Sequence, residues 1–103
     1  MTTQMKTNVY PFTSLSMNSN TTYISTATTT VVKDIAGKLN SITLGETAAG
    51  SITIYDNTAA SGTVIAVLKA SIVEQTFQFN GALFETGLTI VTAAASKLQV
   101  SYE

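Results

Sequence analysis

A chain of 103 residues with a net charge of −1 has room for one domain with a real core, but not for a core plus a second module. It has no Cys, His or Arg, which excludes disulfides, thiolate nucleophiles and zinc–thiolate sites, removes the usual general base and withdraws bidentate recognition of phosphate or guanine. Charged residues make up only 11% against about 25% in ordinary soluble domains. The five lysines (Lys6, Lys33, Lys38, Lys69, Lys97) form no basic patch, so nucleic acid is not an expected partner. Ser and Thr fill the gap left by charge, which fits either a neutral Thr-rich β surface facing water or a surface that faces other protein, and low charge leaves little repulsion between copies.

Residues 1–30, MTTQMKTNVYPFTSLSMNSNTTYISTATTT, are rich in Thr, Ser and Asn and hold the one proline, Pro11. Their apolar residues cluster without a clean period, which predicts an extended N-terminal arm or a first strand. An arm of this kind orders by lying along a neighbouring subunit, with Val9, Tyr10, Pro11 and Phe12 as candidate assembly contacts. The segment lacks the apolar core of a signal peptide, and no run of about 18 apolar residues follows anywhere. No membrane partner is expected, and the chain is expected to be made in a cytosolic setting.

From residue 31 to 103, short alternating runs are separated by turn residues, the pattern of an all-β sandwich or barrel. A strand ends near Asp34, and a strand over 38–44 sets Ile42 and Leu44 on one face. SITIYD turns Ile52 and Ile54 inward, ahead of the loop NTAASG. TVIAVLKA is apolar on both faces, Val64, Ala66 and Leu68 against Ile65 and Val67, which predicts a central strand or one covered by a partner. TFQFN alternates with Phe77 and Phe79 inward, and Asn80-Gly81 is expected to end it in a turn. In FETGLTIVT, Phe84 fills the core, Glu85 sits at a corner, and Gly87 supplies a backbone conformation that a side chain resists before LTIVT begins. KLQVSYE closes the chain with Leu98, Val100 and Tyr102 inward and Lys97 outward, consistent with a solvent-facing or edge strand. The expected fold is an antiparallel two-sheet sandwich, jelly-roll-like, of about seven to nine strands; a small closed barrel is the alternative.

Chemistry has little to work with. No pair of carboxylates is set apart for glycoside hydrolysis, and Ser96-Lys97 lacks the frame of a nucleophile elbow. No catalytic residue, metal site or cofactor is therefore expected. The most acidic loop, Tyr55-Asp56-Asn57, lacks the spaced oxygens of a calcium loop, and an Asx-type turn accounts for it. The same three residues are also the kind that lectin loops use, which makes them the candidate ligand loop if the protein binds carbohydrate.

The stretches KLNSITLGETAAGSITIYDNTAASGTVIA, FNGALFETGLTIVT and KLQVSY, within residues 31–103, resemble small tailed-bacteriophage virion proteins with a β-sandwich fold. The resemblance implies a capsid decoration, or cement, protein on the virion surface, or else a tail or fibre component that binds a receptor or carbohydrate. It implies partners in the major capsid protein and in neighbouring copies of itself, commonly as a homotrimer, and it transfers no catalytic residues.

Overall fold

The structure is a computed structural model and describes residues 19–103. Among these residues eight strands follow one another: β1 (Asn20–Ile24), β2 (Thr29–Lys33), β3 (Gly37–Glu46), β4 (Ile52–Asp56), β5 (Thr63–Leu68), β6 (Thr76–Phe84), β7 (Leu88–Thr92) and β8 (Lys97–Tyr102). They form two antiparallel four-stranded sheets, ordered β1-β8-β3-β6 and β2-β7-β4-β5. The pairings nest: β1 with β8, β2 with β7, β3 with β6 and β4 with β5. Contacts of β3 with β8 and of β4 with β7 then join these pairs into sheets. A hairpin folded over in this way is a jelly roll, the expected fold.

Period-two alternation places the core between the sheets. One sheet contributes Ile24, Leu39, Ile42, Leu44, Leu98 and Val100, and the other Ile52, Ile54, Leu68, Leu88 and Ile90. Phe84, at the end of β6, is fully buried among them. Each such side chain contributes about 1.5–3 kcal/mol by leaving water. Phe77, Phe79 and Tyr102 pack against this cluster with part of their surface exposed.

β1 and the start of β2 fall within residues 19–30, because Ile24 supplies an inward anchor and Thr22 stands beside Val100 on the same face. The candidate contacts Val9, Tyr10, Pro11 and Phe12 lie outside the described residues.

Four expectations change. Asn80-Gly81 does not end a strand: both residues take positive φ, 54° and 75°, inside β6. They form a bulge opposite Asn40, after which pairing resumes from Ala82 against Leu39. Gly87 is needed for room rather than for positive φ, since a Cβ there would lie 2.9 Å from the Lys33 carbonyl oxygen and 3.1 Å from that of Asn57. β5 is an edge strand, and a register shift opposite Ile54 and Tyr55 moves Val64 to the face of Val67. β8 is central, because nesting gives it β1 on one side and β3 on the other.

Candidate functional site

The loop proposed for a ligand is tied into the fold. β4 ends at Asp56, whose carboxylate reaches the corner between β6 and β7. The Glu85 amide donates to both of its oxygens, at 3.0 and 2.9 Å, and the Thr86 amide donates to Oδ1 at 2.8 Å. The Gly87 amide adds a longer contact of 3.4 Å to Oδ1. These donors, Glu85 first and Thr86 next, hold the Asp56 carboxyl below its ordinary value, against a small opposing cost of desolvation. The carboxylate caps a chain reversal as it would cap a helix N-terminus.

Asn57 completes the clamp. Its Oδ1 accepts from the Thr58 amide at 2.8 Å, and its Nδ2 donates to the Ser61 carbonyl at 2.8 Å. Its own carbonyl accepts from the hydroxyl of buried Thr89 at 2.7 Å. The Tyr55 side chain lies on the outer sheet face, in a row with Thr89 and Val64. Tyr55, Asp56 and Asn57 are thus adjacent, but the polar groups of Asp56 and Asn57 are directed at the protein's own backbone. Glu85 gives its amide to this clamp while its side chain stays exposed. No sequence signal marks the Asp56–Glu85 contact, since 29 residues separate the partners.

The outer faces of the two sheets are the remaining surface of note. In the β2-β7-β4-β5 sheet, register aligns Thr29, Val91, Thr53 and Val67 in one row and Val31, Thr89, Tyr55 and Val64 in the next. Neither row holds a charge. Val31 and Val64 are each 47% exposed and Val67 is 58% exposed. Strict alternation assigns Val64 and Val67 to opposite faces, and no local pattern marks Val31.

In the β1-β8-β3-β6 sheet the corresponding rows are Tyr23, Gln99, Thr43, Thr76 and Thr21, Ser101, Ser41, Gln78. These two rows are hydroxyl and amide apart from Tyr23, and beyond the bulge the same face carries Lys38 beside Leu83, which is 71% exposed. The face ends in an ion pair at 2.6 Å between Lys97 and Glu46, beside an open groove that Tyr23 also lines. Bonding to the Glu46 carboxylate, and then its charge, raise the Lys97 ammonium above its ordinary value. Both partners are substantially exposed, so the pair adds little stability. Among the described residues no three acidic side chains gather where they could hold a metal ion. No protein-family model matches the chain, and no curated protein shows significant similarity to it.

Proposed function

We propose that this protein is a structural virion component of a tailed bacteriophage, a decoration protein that stabilises the head by binding across coat subunits. The observation that carries this reading is the outer face of the β2-β7-β4-β5 sheet, where exposed Val31, Val64 and Val67 stand in two rows without a charge. An apolar, uncharged surface on a stable sandwich is suited to burial against protein, and its chemistry is area rather than reactive groups. Binding only to the assembled shell would stabilise that shell by mass action. The resemblance of residues 31–103 to small virion proteins supports the same reading. In this proposal the segment holding Val9, Tyr10, Pro11 and Phe12 makes a second contact with coat protein or a neighbouring copy.

Electron microscopy of purified particles tests the proposal. Many symmetry-related copies on the shell, oriented with the valine face against coat protein, are expected. A few copies at the tail, or none on the particle, would overturn it. Particles lacking the protein should also release their genome at lower temperature than complete ones.

A further inference from the structure

The described residues hold the asparagines Asn20, Asn40, Asn57 and Asn80, and all but the last are engaged. Asn40 Nδ2 donates to Ser19 Oγ at 3.1 Å and to Glu103 Oε2 at 3.2 Å. Asn57 is held by the Thr58 amide and the Ser61 carbonyl, and Asn20 has a partner too. Asn80 is exposed, and its side chain makes no hydrogen bond among the described residues. It also precedes Gly81, whereas the others precede Thr21, Ser41 and Thr58.

The main chain at Asn80 stands outside the ladder. Register passes from Gln78 with Ser41 to Ala82 with Leu39, so neither Asn80 nor Gly81 has a partner in β3. β6 is the outer strand of its sheet, and no second strand among the described residues pairs with it there. Both residues take positive φ, and a Cβ on Gly81 would meet nothing closer than Lys38 Cδ at 3.9 Å. No neighbour crowds this peptide.

We propose that Asn80 is a site of spontaneous covalent modification, where the side-chain amide is lost through a cyclic imide and replaced by aspartate and isoaspartate. The Gly81 nitrogen, once deprotonated, attacks the side-chain carbonyl carbon of Asn80. A C–N bond forms, the bond to Nδ2 breaks, and Nδ2 leaves as ammonia with the proton that Gly81 gave up. Solvent water then opens the imide. Opening on the side-chain side restores the peptide and leaves an aspartate carboxylate. Opening on the main-chain side routes the chain through the side-chain carbon, as isoaspartate. Glycine suits the attacking position because no Cβ shields its nitrogen and its backbone turns readily. Bringing nitrogen to carbon requires the peptide between Asn80 and Gly81 to rotate, and in the bulge that rotation breaks no register pair.

Either product adds a carboxylate to the edge of the sheet near Lys38. Isoaspartate also lengthens the main chain just ahead of Ala82, Leu83 and Phe84, the run that pairs with Gly37, Lys38 and Leu39 and seats Phe84 in the core. The inference does not rest on the proposed function, since the reaction needs only the folded chain and water.

Site-resolved peptide mapping of the full chain, aged in buffer at physiological temperature and analysed by mass spectrometry, tests it. Asn80 should convert to a mixture of aspartate and isoaspartate about tenfold faster than Asn20, Asn40 or Asn57. The rate should rise with pH, because the Gly81 nitrogen must first lose its proton. Gly81→Ala should slow conversion about tenfold or more, and circular dichroism establishes that this variant is folded. The wild type aged in urea provides a comparison without substitution, and Asn80 should convert in the native chain as well as in the unfolded one. A native chain that keeps Asn80 intact overturns the proposal, whatever the unfolded chain does. So does conversion at another of these asparagines as fast as at Asn80, a rate indifferent to pH, or a folded Gly81→Ala variant that ages as the wild type does.

Discussion

β7 and β5 belong to one sheet, and both read as nearly continuous apolar or β-branched runs, LTIVT and TVIAVL. β7 lies between β2 and β4, and its Leu88, Thr89 and Ile90 are completely buried. β5 lies at the edge, and its Val64 and Val67 keep about half their surface in solvent. A two-faced apolar run therefore shows that both faces suit dry surroundings, but the neighbours that dry them come from topology. In β7 the fold supplies those neighbours. In β5 it does not, and the outer valines remain as surface that the fold itself leaves unexplained.

This contrast predicts a graded series of effects. Ile90→Ala should cost about 3–4 kcal/mol in urea unfolding, because it empties a fully enclosed site. Val67→Ala should stay within about 0.5 kcal/mol. Comparable losses at the two positions would mean that β5 is covered in the free protein. Gly87→Val, at the entry to β7, should cost about 2–3 kcal/mol, since the new side chain meets backbone of Lys33 and Asn57 that cannot swing aside. Glu85→Gln, two residues earlier and exposed, should change little, and equally mild effects at both positions would contradict a packed corner.

Asp56→Asn should cost about 1–2 kcal/mol at neutral pH, since an amide cannot accept from the Glu85 and Thr86 amides as a carboxylate does. The folded-state pKa of Asp56 is lowered. Its contribution is therefore present above the ordinary aspartate value and is lost as pH falls through the folded one. Stability curves of the wild type and Asp56→Asn should converge below about pH 4, as followed by thermal melts from pH 7 to pH 2. A gap that stays constant over that range would show that the carboxylate charge is not what holds the corner. Val64→Thr with Val67→Thr should also affect stability little, melting within a few degrees of the wild type, yet lose attachment to particles in a co-sedimentation assay. Retained attachment would remove the valine face from the proposed function.

Much of the fold was legible from residue order because one face of each sheet is dry. Ile42 with Leu44, Ile52 with Ile54, and Leu98 with Val100 alternate cleanly and are all buried as expected. The bulges were not legible. Asn80-Gly81 has the composition of a hairpin turn, and only the resumption of pairing beyond it shows that β6 continues to Phe84. The candidate ligand loop was visible as a polar cluster, but its role was not. Asp56 finds its donors in a corner that is distant along the chain, and no local pattern records a contact of that kind.

Alternation and turn residues were enough to point to an all-β sandwich or small barrel, and composition to a chain lacking Cys, His and Arg, because strand periodicity and side-chain chemistry are local properties. Strand order is not local. Nesting β1 with β8 and β4 with β5 made β8 central and β5 an edge, and it aligned Val31 with Val64 across four strands. Which apolar residues become core and which become surface was settled by that long-range pairing, since a side chain is buried only by what the rest of the chain brings against it.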